Sequence, residues 1–126
     1  MNNQIPKLKQ MIDDRQLEVD NIDVFCEKGV FDVEQTESIL SKAQNSIKDI
    51  QVNFHSDELY PLNSVEMAVR IKSKAVSHLE EISDHEIDLM SKSETVGILL
   101  PTTAIIMQLK RPPARKSILL NFLNLP

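Results

Sequence analysis

Short apolar runs recur along this chain four times, roughly every 20 to 25 residues, each followed by a segment of helical periodicity. The first is Asn21 to Glu27, closed by Lys28 and Gly29. Asp32 then stands where an N-cap belongs, with Gln35 three residues on, and Val33, Thr36, Leu40, Ala43 and Ile47 define one mostly apolar helical face. The second unit is Ile50 to His55 followed by a helix from about Ser64 to Lys72. The third is Ala75 to Leu79, then Ser83 to about Lys92, with Ser83 and Glu86 as a capping box. The fourth is Thr95 to Leu100, then Thr102 to about Leu109. A helix over Ile5 to Leu17 precedes them, and Pro112 and Pro113 open a further short one. Strands alternating with helices argue for parallel pairing and right-handed βαβ crossovers.

The spacing has the look of a repeat array, but no recurring signature supports a solenoid, which leaves a doubly wound sheet or a (β/α) barrel. The second strand favours the barrel. Ile50, Val52 and Phe54 point one way, and Gln51, Asn53 and His55 the other. A strand of an open doubly wound sheet is apolar on both faces, because helices cover both. A strand with one polar face ending in His55, Asp57 and Glu58 suits a barrel that delivers ligands and proton-transfer groups to its rim. A full (β/α)8 barrel needs about 250 residues. The 126 residues here bound the chain to one domain at most, with about four βα units.

Composition excludes several classes. The chain is 41% hydrophobic and 26% charged, as a globular protein is. A net charge of −5 argues against nucleic acid as a partner. The one basic cluster, Lys110, Arg111, Arg115 and Lys116, is interrupted by two prolines and reads as a solvated loop and helix start. A single cysteine, Cys26 in an apolar run, reads as a small buried hydrophobe and fits a reducing compartment. No signal-peptide core opens the chain, and no apolar stretch reaches the ~18 residues that span a bilayer. No membrane association and a cytoplasmic location are expected.

The segments Asn21 to Phe31, Val52 to Pro61 (VNFHSDELYP), Ser77 to Glu81 (SHLEE) and Ile98 to Lys116 (ILLPTTAIIMQLKRPPARK) together resemble the imidazolonepropionase family of the amidohydrolase superfamily, closest to its animal-type members. The likeness covers about residues 6–116 of a single partial barrel domain spanning 1–126, and residues 117–126 form a divergent apolar tail. The resemblance implies a metal-dependent (β/α)8 barrel whose strands four to seven are the four here. It implies hydrolysis of 4-imidazolone-5-propanoate to N-formimino-L-glutamate in histidine degradation by a metal-activated water. His55 matches the fifth-strand ligand of zinc or iron. Glu58 matches the neighbouring glutamate of substrate contact and proton handling, and His78 the sixth-strand catalytic histidine that also meets substrate.

Asp57 is expected either to orient His55 or to cap the following segment. Glu27 is expected to be structural or to support the site, and Thr102 either an N-cap or a substrate hydroxyl contact. Glu80 and Glu81 divide between rim and surface, and His85 is expected at the surface. The family's first-strand His-x-His pair and eighth-strand aspartate have no counterpart in these residues. The expectation is therefore a fragment, catalytically incomplete alone and without its own metal. Its open strand edges and apolar tail lead to an expectation of self-association, or of pairing with the full enzyme as a non-catalytic module or dominant-negative partner.

Overall fold

The computed structural model describes residues 3–109. The element order is α1 (Gln4–Asp13), β1 (Asn21–Cys26), α2 (Val33–Ser46), β2 (Gln51–Ser56), α3 (Val65–Arg70), β3 (Ala75–His78), α4 (Asp84–Ser91), β4 (Val96–Ile98) and α5 (Pro101–Ile106). The expected helix at Pro112 and Pro113 and the apolar tail lie outside the described residues.

The four strands pair in parallel in the order β1-β2-β3-β4. That order discriminates between the two architectures. A doubly wound sheet reverses strand order at its switch point, which sends helices to both faces. Strictly sequential order with right-handed crossovers stacks every helix on one face. This is the winding of a (β/α)8 barrel, and the four units form part of one.

The core lies on the helix-covered face. Val24, Cys26, Val52, Phe54 and Val76 point into it and meet Ile39, Leu40 and Ala43 of α2 and Val65, Met67 and Ala68 of α3, all buried. Phe54, with no exposed surface, contributes roughly 1.5–3 kcal/mol through its burial. Cys26 is a free thiol inside this layer, and burial pushes its pKa up. Gly97 of β4 faces the same layer, where an added Cβ would come within 3.2 Å of Leu79 and 3.3 Å of Met90. The register places Asp23, Phe25, Asn53, His55, Ala75, Ser77, Val96 and Ile98 on the opposite face.

Both capping boxes form as expected. The Asp32 carboxylate accepts from the Gln35 N–H at 2.7 Å, and the Gln35 side chain accepts from the Asp32 N–H at 3.1 Å. Glu86 does more than its box requires. One oxygen accepts from the Ser83 N–H (3.0 Å) and hydroxyl (2.7 Å), while the other accepts from the Val65 N–H of α3 at 3.4 Å. This buried carboxylate therefore serves the first turns of two helices, where the backbone N–H groups and macrodipole favour an anion.

Helix ends depart from expectation. The first helix stops at Asp13 rather than Leu17, α3 at Arg70 rather than Lys72, and α5 at Ile106 rather than Leu109. In each, a non-glycine residue takes the left-handed conformation just past the end: Arg15 (φ 56°), Lys72 (φ 55°) and Gln108 (φ 53°). The following backbone N–H groups fold back onto the last turn, as in Ser73 N–H to the Ala68 carbonyl at 2.9 Å, completing Schellman motifs.

Candidate active site

In the parallel register Phe25, His55 and Ser77 form one row, and Cys26, Ser56 and His78 the next. Both rows lie at the C-terminal ends of the strands, the end at which barrel enzymes build their sites. His55 projects from the open face, with its side chain 39% exposed and its Nε2 3.2 Å from Asp23 Oδ2 on β1.

Strand parity alone would send His78 to the helix-covered face with Val76. Its ring nevertheless lies 5.3 Å from that of His55, tilted by 53°. The backbone supplies the reason. His78 has φ 79° and Leu79 φ 65°, two successive left-handed residues that break the pleat as β3 ends and re-aim the imidazole. Such conformations cost a non-glycine residue of order 1–2 kcal/mol each, so the surroundings must hold them. The hold comes from the neighbouring loop: Leu79 N–H donates to the Ser56 carbonyl at 3.1 Å and Glu81 N–H to the Asp57 carbonyl at 2.8 Å.

The imidazole of His78 is flanked by two carboxylates. Nε2 lies 3.5 Å from Glu58 Oε2, and Nδ1 lies 3.3 Å from Glu80 Oε2. Both are ion-pair distances. The contact to Glu80 lacks hydrogen-bond alignment, and His78 Nδ1 and both Glu80 oxygens have no hydrogen-bond partner among the described residues. Glu58 is partly exposed, whereas the Glu80 side chain has no exposed surface.

Burial pushes the Glu80 carboxyl above the usual glutamate range, and the nearby Glu58 adds to this. Its own backbone N–H and the His78 ring pull the other way without reversing the shift. The folded chain therefore binds a proton at Glu80 more tightly than the unfolded chain. Stability associated with this group is full below the ordinary glutamate pKa and falls as pH rises through the raised value. Urea denaturation across this range is expected to show that decline for the native chain and a flatter profile for Glu80→Gln. Parallel profiles would remove Glu80 as its source.

Asp57 and Glu27 act on the backbone of the rim. Asp57, fully buried with φ 53°, accepts from the Leu62 N–H at 2.6 Å and from the Ser64 hydroxyl. It ties down the segment that enters α3, whereas the ion-pair partner of His55 is Asp23. Buried Glu27 accepts from the Lys28 N–H at 2.8 Å and the Leu59 N–H at 3.1 Å, joining the loop after β1 to the loop after β2. Gly29, at φ 87°, makes the turn beside it. Thr102 lies exposed in the first turn of α5, and the N-cap position falls to Leu100, one residue before Pro101. His85 is exposed, 3.7 Å from Glu66.

Two members of the arrangement escaped sequence reading in part. Asp23 could have been found from its place two residues before Phe25, on the same strand face. Glu80 and Glu81 are adjacent carboxylates, and only the left-handed turn at His78 and Leu79 decides that Glu80 goes inside.

Among the described residues no three His, Cys, Asp or Glu side chains are grouped so that they could hold a metal ion. A catalytic metal usually takes about three protein ligands. His55, His78 and their carboxylates do not by themselves meet that requirement. What they offer is acid–base chemistry: a pair of groups, His78 and Glu58, within a small side-chain movement of sharing a proton. No helix among the described residues is long and apolar enough to cross a membrane.

No protein-family model matches the chain. Curated relatives do. The chain is 51% identical over 118 residues to a probable imidazolonepropionase of Nematostella vectensis, covering 94% of this chain and 27% of that protein. It is 47% identical over 116 residues to the probable imidazolonepropionase of Homo sapiens, covering 92% and 27%. The Dictyostelium discoideum counterpart is 42% identical over 118 residues, covering 94% and 27%. The chain thus spans about a quarter of the length of the relatives it matches.

Proposed function

Because the chain is homologous over about nine-tenths of its length to imidazolonepropionases, we propose that it carries part of an active site that hydrolyses a cyclic amide, 4-imidazolone-5-propanoate, to N-formimino-L-glutamate. The observation that carries this reading is the convergence of His55, His78 and Glu58 at the C-terminal ends of adjacent parallel strands. Opening an amide ring requires a proton to leave the attacking water and a proton to reach the departing nitrogen. Glu58 and His78 form the pair that handles them, with Glu58 reaching from the loop and His78 held at the strand end. His55 is the residue we assign to a divalent metal, zinc or iron. The described residues supply this one ligand beside the acid–base pair. Asp57 and Glu27 support the site by fixing its two loops, and we assign Thr102 no role beyond the rim.

The reading is tested by grafting. Residues 6–109 replace the matching stretch of the Nematostella vectensis relative, and loss of imidazolone absorbance is followed. Turnover by the graft, abolished together with metal retention in a His55→Ala version, is the expected result. A folded graft without turnover, beside an active parent, counts against the assignment.

A second reading, an interaction module, has its own observation. Among the described residues β1 and β4 each pair on one side only. The open sheet face also exposes Phe25 (38%), Val96 (56%) and Ile98 (46%). Unpaired parallel edges beside an apolar face invite further strands. On this reading the chain associates with itself or with the full-length enzyme, and Ile98→Lys shifts it toward a monomer in concentration-dependent size-exclusion chromatography. A native chain that elutes as a monomer at every concentration eliminates the self-association arm.

A further inference from the structure

The least explained polar group in the described structure is Glu80. A carboxyl without exposed surface, neither oxygen hydrogen-bonded, is a costly placement. The third orphan beside it is the Nδ1 of His78, 3.3 Å from Glu80 Oε2. A rotation of the Glu80 side chain that aligned the two would satisfy Nδ1 and Oε2 together. The other ring nitrogen already faces Glu58 across 3.5 Å. The side chains therefore run in line, carboxylate, imidazole, carboxylate, from the interior to the partly open rim.

We propose that Glu80 is the positioning residue of His78: its buried carboxylate accepts the Nδ1–H and so leaves Nε2 as the nitrogen that exchanges protons with Glu58. This rests on the reading of His78 and Glu58 as the proton-handling pair. An ionised carboxylate has only acceptor sites, so the ring nitrogen it bonds must be the one that carries the N–H. The tautomer matters because neutral histidine has one donor and one acceptor nitrogen, and the hydrogen bond at one decides the other. With Nδ1 protonated, Nε2 presents its lone pair toward Glu58 and the space above the rim. Reversed, the lone pair would face the interior, where no substrate can reach it. Glu80 touches neither substrate nor reacting atoms on this account and acts through His78.

Long-range ¹H–¹⁵N correlation of the histidine rings tests it in the chain as it stands. The chain has three histidines, and substitution of exposed His85 removes one signal for assignment. At mildly alkaline pH, His78 is expected to carry its proton on Nδ1. Glu80→Gln, whose amide oxygen can still accept, is expected to keep that tautomer. Glu80→Leu, similar in size and unable to accept, is expected to move the proton to Nε2, exchanging the two ring-nitrogen signals. In the grafted enzyme the leucine variant is expected to lose about 10- to 100-fold in kcat, as losses of orienting partners do, with the glutamine variant restoring most of it.

An Nε2–H tautomer in the native chain overturns the proposal without any variant. So does an unchanged tautomer in a folded leucine variant. If the native tautomer is Nδ1–H but the active graft tolerates loss of His78, the positioning stands and the reading of His78 as catalytic falls.

Discussion

His78→Asn in the grafted enzyme is expected to lower kcat/KM by about 10²- to 10⁴-fold, the usual worth of a positioned acid–base group. That range corresponds to roughly 2.7–5.5 kcal/mol of transition-state stabilisation. Asparagine keeps a planar polar side chain near the Glu80 and Glu58 carboxylates but can neither take up nor release a proton near neutrality. The loss should therefore fall mainly on kcat, with KM nearly unchanged. Glu58→Gln should behave alike if, as proposed, Glu58 and His78 form one relay across the 3.5 Å between them. The double variant is then expected to be no worse than the poorer single, since a relay broken once is already broken. Initial rates of substrate loss for the four proteins measure this. Strictly multiplicative effects would show that the two residues act independently. A His78 variant within about threefold of the parent would remove it from the chemistry.

The second large effect concerns stability. Asp57→Ala is expected to destabilise the chain by about 2–4 kcal/mol, a large part of what a small domain possesses. The buried Ser64 hydroxyl and the part-buried Leu62 N–H lose their acceptor; a stranded buried donor costs on the order of 1–3 kcal/mol, and one that water can reach costs less. Alanine also tolerates the left-handed φ of 53° less well than aspartate does. Asp57→Asn retains an acceptor oxygen and the left-handed preference, so it should recover a substantial share. Urea midpoints at constant slope measure the series. A loss under about 1 kcal/mol for the alanine variant would mean that the loop entering α3 finds other partners. Adding Ser64→Ala to Asp57→Ala should cost little more, because their shared hydrogen bond is already gone.

Features decided within a few residues were legible in the sequence. The Asp32–Gln35 and Ser83–Glu86 boxes span three residues each, and both form. The alternation through β2 placed Val52 and Phe54 inside, as found. Features decided across the fold were not. The second arm of Glu86 reaches Val65 over 21 positions, and that of Glu27 reaches Leu59 over 32. Neither reach leaves a local trace. Helix ends were misjudged for a compositional reason. The chain has only two glycines, so the residue that usually marks a helix stop is absent where Arg15, Lys72 and Gln108 turn left-handed instead. The grouping of His78 with His55 was implied by family resemblance rather than by pattern, since parity alone put His78 on the wrong side of β3.

The sequential strand order carries a further consequence for how such a chain is made. Among the described residues, β2, β3 and β4 each pair with the strand before them in the chain. On the ribosome, β2 can dock against β1 as soon as α2 and β2 have emerged, and β3 then finds a formed edge waiting. Loop-closure entropy is met in short instalments of one crossover each, rather than in one long search. Growth of this kind leaves an uncapped parallel edge at every stage, so the nascent chain is most exposed to misassociation while it is still being extended.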